Sequence, residues 1–314
     1  MYHYTVAQWL LFFFVYCFIG WVWESCYVSA RKRRWVNRGF MHGPLLPIYG
    51  SGAVIILLAT MPVRDNLVLI FVFGMIGATI LEYCTGACME KLFKMKYWDY
   101  SNYKFNLNGH ICLQVSLGWG VFSIALVRGL HLPVEYLVLK IPDTAAEIAA
   151  YAITVAAAVD FTQSFNEAMD LKEIITRLSE SNERIQRIQS RLEAISAFTG
   201  SEYQEYMKKW QGLKELPWQS VSNMAEEYRS RKRQQLQILA DKINEVLAGG
   251  QEKAEEFTKF KEQVERDLRE LGSRPGRSAQ RALRLLKRNP DTSSKKYSET
   301  LKDFKEIIQK RKKL

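Results

Sequence analysis

Five stretches of this chain are apolar enough to cross a lipid bilayer, and all five lie before residue 170. A hydrocarbon core about 30 Å thick takes roughly 20 residues of apolar helix. Inside it every backbone N–H and C=O must be satisfied by the chain itself, so helices are the natural solution. Residues 6–28 carry Glu24 as their single charge, 43–62 carry none, 67–89 carry only Glu82, and 111–127 carry none and reach a span's length with their flanks. The fifth stretch, 144–166, is Ala-rich and holds Glu147 and Asp160. Alanine packs helices closely but gives little lipid affinity, so this helix is expected to be partly shielded by the others. Residues 132–141 are too short to span and read as a surface helix or loop. The first segment has no basic residues before its apolar run and no small-residue cleavage site after it, so it reads as a retained helix.

Whole-chain averages conceal this. The 314 residues hold 44 Lys and Arg, 33 Asp and Glu, a net charge of +11 and 48% apolar residues, as in a basic soluble protein. Residues 1–170 hold 12 basic and 11 acidic side chains, and residues 171–314 hold the other 32 and 22. All five Cys and all four His lie in the first part. The expected fold is all-α: a polytopic membrane bundle of five helices over 1–168, then a basic cytosolic helical and coiled-coil domain over 169–314. A secreted disulfide scaffold and a fully disordered chain are excluded.

Basic loops give an orientation. Arg31, Lys32, Arg33, Arg34 and Arg38 follow the first helix, and Lys91, Lys94, Lys96 and Lys104 follow the third. The alternate loops hold Arg64, and Arg128 with Lys140. The N-terminus is therefore expected outside and the tail inside, in the cell (plasma) membrane. Tyr2, Tyr4, Trp9 and Trp35 suit interfacial lipid anchoring. Cys84 and Cys88 share a helix face but lack a second pair with ligand spacing, so they read as small core residues, and no metal or cofactor is expected.

A heptad begins at Leu171. Leu171, Leu178, Ile185 and Leu192 occupy a, and Ile174, Ser181, Ile188 and Ile195 occupy d, so homo-oligomerisation is expected through Leu171, Ile174, Leu178, Ile185, Ile188, Leu192 and Ile195. No Pro or Gly falls between residues 144 and 198, so the fifth helix is expected to run on into the coil. Further helices are expected near 201–215, 219–247, 251–271, 278–288 and 295–312. Arg274, Arg277, Arg281, Arg284, Lys287, Arg288 and residues 310–313 make a basic end suited to anionic lipid at ~1 kcal/mol per residue. Nucleic acid is disfavoured, since no recognised nucleic-acid fold accompanies the charge.

Polar residues in the apolar half are costly in lipid and therefore informative. Glu24, Asn37, Arg38, His42, Tyr49, Glu82, Glu90, Asp99, Asn108 and His110 map to one end of the bundle and form the candidate binding cluster, with Arg38 expected to pair with Glu24 or Glu82. No catalytic residue is assigned. The strings Gly20-Trp21-x-x-Glu24, Asn37-Arg38-Gly39-Phe40 and Gly43-Pro44-x-x-Pro47-Ile48-Tyr49-Gly50, followed by Glu82, Glu90, Trp98-Asp99-Tyr100-Ser101 and Asn108-Gly109-x-Ile111-Cys112, resemble the bacterial CmpB-type (type IV) putative ABC transporter permease family over about residues 8–165. His110 stands where the family usually has Arg, and Lys104 where it often has Pro. The resemblance implies a permease or transport-associated subunit. The sequence contains no G-x-x-x-x-G-K-[ST], so the chain supplies no P-loop ATPase itself, and it would work with a separate ATPase subunit or with none. Two alternatives stand beside it: a membrane anchor assembling through the coil, and a membrane-embedded lipid- or phosphate-binding enzyme using the Glu/Asp/Arg cluster, with an enzyme less favoured than a non-enzyme.

Overall fold

The computed structural model describes residues 4–196, 284–298, 301–302 and positions 230, 233, 234, 237, 238 and 241. Two compact units emerge: Met1–Lys172 with Leu283–Ser298, and Glu173–Ala282 with Glu299–Leu314. The helices expected near 201–215, 219–247 and 251–271 fall outside the described residues, apart from a few helical positions between 230 and 241.

Helix α1, Val6–Lys32, begins at a capping box: Thr5 accepts from the Gln8 amide at 3.3 Å, and Gln8 Oε1 accepts from the Thr5 amide at 2.9 Å. It stops at Arg33, whose φ of 50° is left-handed. Helix α2, Pro47–Thr60, has proline in its first turn, where no amide partner is lost, and continues as a 3-10 turn, Met61–Val63. Helix α3, Leu67–Phe93, is capped by Asn66, which accepts from the Val68 and Leu69 amides. Asn106–Leu107 (β1) and Ile111–Cys112 (β2) pair antiparallel in the following loop. Helix α4, Leu113–Ala125, passes through a π turn, Leu126–Leu130, into α5, His131–Leu139. Helix α6 runs from Asp143 to Ser196 without a break.

Four helical runs are long and apolar enough to cross a membrane: Val6–Lys32, Leu67–Phe93, Leu113–Leu139 and Asp143–Glu173, with Pro47–Val63 a shorter apolar helix. The chain is a membrane protein, and its described residues are mostly helical, with almost no sheet. Residues 132–141 are not the surface element expected from their length. The π turn joins most of them to α4 in one run, and Val134, Glu135 and Val138 are buried. The Ala-rich helix is shielded along one narrow face only. Ala146 and Ala150 pack inward, while Ile148, Tyr151, Val155 and Val159 are exposed along α6. Tyr4 is more than a lipid anchor: its hydroxyl bonds Glu135 and its ring meets Trp9, Phe12 and His131.

The second helix starts at Pro47 rather than 43, because the chain before it doubles back along α1. The Val36 amide donates to Ser29 Oγ at 2.9 Å, the Arg38 amide to Ser25 Oγ at 3.2 Å, and the Leu46 amide to the Cys17 carbonyl at 3.1 Å. From Ser29 to Cys17 that is a descent of about 18 Å at helical rise. Irregular backbone at such depth survives only when protein covers and satisfies it, and the serines of α1 supply the acceptors. Glycine permits the close approach. A Cβ on Gly50 would lie 2.6 Å from the Phe13 carbonyl oxygen, and one on Gly20 2.3 Å from the Tyr49 ring. The core beneath contains Phe12, Ile56, Ile70 and Leu126, none with accessible surface.

Candidate polar site at the loop end of the bundle

Glu24 faces the returning loop from the last third of α1. Its Oε2 accepts from Arg38 Nε at 3.3 Å and its Oε1 from the Tyr49 hydroxyl at 3.0 Å. Arg38 thus pairs with Glu24 rather than Glu82. Asn37 fixes the loop: its Oδ1 accepts from Trp21 Nε1 at 2.6 Å and its Nδ2 donates to the His42 carbonyl at 2.8 Å.

Glu82 sits inside α3 with 6% of its surface exposed. Its Oε1 accepts from the Tyr100 hydroxyl at 3.2 Å and its Oε2 from Trp119 Nε1 at 2.9 Å. Both donors are neutral, and no Lys, Arg or His of the described residues forms an ion pair with it. The Tyr49 and Trp119 rings lie 6.5 Å apart, and Tyr100 feels the charges of both Glu82 and Glu24, so the two acids share one polar layer. Burial, and then the Glu82 charge, push the Tyr100 phenol well above its ordinary range, so it remains a donor.

The loop between α3 and β1–β2 is tied from within. Lys96, buried to its amine, donates to the Asn108 carbonyl and lies 3.7 Å from Asp99. Trp98 Nε1 donates to the His110 carbonyl at 2.9 Å, Asn108 Nδ2 to the Tyr83 hydroxyl at 3.1 Å, and His110 Nε2 lies 3.1 Å from Glu90. Gly109, at φ 74°, leaves no room for a side chain between Ser101, Asp99 and Lys96. Burial and the Lys96 charge hold His110 below the usual histidine range against the opposite pull of Glu90 and Asp99. Burial alone would raise the Asp99 carboxyl, but the Ser101 hydroxyl and amide, Lys96 and Ser293 bring it below the usual range.

A further group is built on α6. His42 Nδ1 lies 2.9 Å from Asp160 and 3.0 Å from Ser164 Oγ, and its Nε2 lies 3.1 Å from Glu167. Asp160 also accepts from the His42 and Gly43 amides. Glu167, 3% exposed, takes Arg288 Nη2 at 2.7 Å and Arg284 Nη2 at 3.2 Å. Those two arginines, grouped by sequence with the lipid-facing basic end, are turned onto the bundle. Asp160, Ser164 and Glu167 share one face of α6 at spacings of four and three, a stripe already present in the sequence. Asn289 and Ser293 carried no such signal.

The ten candidate residues therefore lie in linked groups rather than around one point: Glu24, Asn37, Arg38 and Tyr49; Glu82 with Tyr100 and Trp119; Glu90, Asp99, Asn108 and His110; and His42 on α6. Among the described residues no group of His, Cys, Asp and Glu is arranged to hold a metal ion. Of the coil positions, Leu171 is buried, and the side chains of Ile174, Leu178, Ile185, Ile188, Leu192 and Ile195 lie outside the described residues.

Residues 11–165 match the model of the family described as "Putative ABC-transporter type IV". The membrane half of this chain belongs to that family. None of the curated proteins and none of the solved structures compared matches the chain. The stretch matching the type IV family takes in Glu24, Arg38, Tyr49, Glu82, His110 and Asp160, and stops before Glu167 and the 284–298 segment.

Proposed function

We propose that the chain is the membrane subunit of an ABC-type transport system, working with an ATPase on a separate chain. Its polar site lies at the cytosolic end of the bundle, with the tail on the same side, and Glu82 is the group that meets a cation or a proton. The observation that carries this reading is the environment of Glu82: a buried carboxylate inside a membrane helix, held by two neutral donors and left without a cation among the described residues. Isolated charge in such a place is expensive, and its retention is a mark of function. The returning loop supports the same reading, because irregular backbone at membrane depth commonly lines a site.

Reconstitution into vesicles tests it. The purified protein, with any ATPase that co-purifies, should drive flux of a cationic cargo or of protons. Glu82→Gln should abolish that flux while leaving thermal stability within about 1 kcal/mol of wild type. Undiminished flux in the variant would remove Glu82 from the reading.

A second reading is favoured by α6, whose 54 residues extend about 80 Å. In it the chain is an anchor that assembles with further copies through the 171–195 heptad, while Arg274, Arg277, Arg281 and residues 310–313 meet anionic lipid. Leu178→Glu with Ile188→Glu should then reduce the oligomer's mass in light scattering.

A further inference from the structure

Residues 284–298 return across more than a hundred positions to the loop end of the bundle. They make a short helical turn over 284–288 and then an irregular stretch. Arg288 meets Glu167 on α6. Asn289 Oδ1 accepts from Arg38 Nη1 at 3.3 Å, and its Nδ2 donates to the Gly39 carbonyl at 3.0 Å. Ser293 exchanges both backbone hydrogen bonds with Lys96, each 2.8 Å, and its hydroxyl donates to Asp99 at 3.1 Å. Leu285, Leu286 and Tyr297 are buried.

We infer that the loop end of the bundle is a peptide-docking groove that reads the pattern Arg-Asn-x-x-x-Ser, filled here by the chain's own residues 284–298 and exchangeable with the same segment from a second copy. Three subsites of different chemistry define it. The Glu167 carboxylate selects a guanidinium. Arg38 Nη1 and the Gly39 carbonyl together offer one donor and one acceptor, the complement of a single carboxamide. The Lys96 backbone offers an N–H and a C=O to one strand-like residue, as in strand addition at a sheet edge.

Two features make the docking reversible. Arg288 is buried, yet among the described residues its Nε and Nη1 find no hydrogen-bond partner, an unmet demand that release to water relieves. On release, Glu167 keeps its contact with His42 Nε2 and Arg38 keeps Glu24, so neither side chain is left without a polar partner. This inference is independent of the transport reading, because it concerns residues outside the Glu82 group.

The test uses the full chain in detergent and a fluorescent synthetic peptide of residues 283–298. A tethered segment competes at high effective concentration. Wild type should therefore bind the peptide at least tenfold more weakly than Arg288→Gln/Asn289→Ala, whose own segment is released. Against that variant, a scrambled peptide of equal charge, and one with Asn289→Ala, should bind at least tenfold more weakly than the native peptide. Equal binding to wild type and variant, equal binding of the scrambled peptide, or no saturable binding to either protein would overturn the proposal. Should the double variant fail to fold, Ser293→Pro, which removes one amide donor to Lys96, serves the same comparison.

Discussion

Trp119 donates its indole N–H from α4 to Glu82 on α3 at 2.9 Å, tying two membrane helices through a carboxylate that has no cationic partner among the described residues. Trp119→Phe leaves one oxygen of that buried group without a donor and should cost about 1–3 kcal/mol. Glu82→Gln should be nearly neutral for stability, because its carbonyl can accept from Trp119 while the Tyr100 hydroxyl turns to accept from its amide. Thermal unfolding of both variants in the same detergent checks the contrast. Equal losses would mean that the site is a packing feature and the acid incidental.

Helix approach at glycine gives a second expectation. A Cβ at Gly50 meets the Phe13 carbonyl oxygen and Cys17 Sγ, and backbone cannot swing aside as a flexible side chain can. Gly50→Ala should destabilise the bundle by about 1–3 kcal/mol through overpacking. Gly118, with none of the described residues within 4 Å of its Cβ position, is the control. Gly118→Ala should be neutral or stabilising by up to about 1 kcal/mol, since alanine is the better helix former. Denaturation in mixed micelles would separate the two.

Much of the fold could be read in the sequence because lipid makes simple demands. Long apolar runs, single buried acids and alternating basic loops mark the membrane helices and gather Glu24, Arg38 and Glu82 toward one end. Three things could not be read. The descent of residues 33–46 depends on Ser25 and Ser29 accepting loop amides, and a serine in an apolar helix carries no sign of which backbone it will meet. The run through His131 to Leu139 was hidden because a π turn over Leu126–Leu130 carries the helix past Gly129 and Pro133, residues that ordinarily end one. The docking of Asn289 and Ser293 rests on contacts made across the chain, for which neither periodicity nor charge gives a local signal.

The histidine of the second loop sets a pH dependence. Burial and then Lys96 lower His110 in the folded protein, so the unfolded chain, at an ordinary value of about 6.5, binds the proton more readily. The stability this contributes is fully present above about pH 6.5 and is lost as pH falls through the lower folded value. Asp99, also lowered, adds a loss of the same sign in a more acidic window, below the ordinary carboxyl range. The melting temperature should therefore fall between pH 7.5 and 5.5, and His110→Gln should flatten that part of the curve. A slope unchanged by the substitution would place the titrating group elsewhere.

At the opposite end of the bundle, the Tyr16 hydroxyl and His131 Nδ1 are 2.8 Å apart and both residues are buried. The pair joins α1 to α5, and with it the π-turned half of the Leu113–Leu139 run to the rest of the core. Tyr16→Phe leaves a ring nitrogen of His131 unpaired, and His131→Leu leaves the phenol unpaired, so each should cost about 1–3 kcal/mol. Removing both partners leaves no orphaned polar atom, and the double variant should be more stable than the sum of the single losses implies. The coupling expected from the cycle is at least about 1 kcal/mol, measured by urea unfolding in detergent. Strict additivity would mean that water satisfies each group in the single variants, and that α5 is held by its apolar contacts at Val134 and Val138 instead.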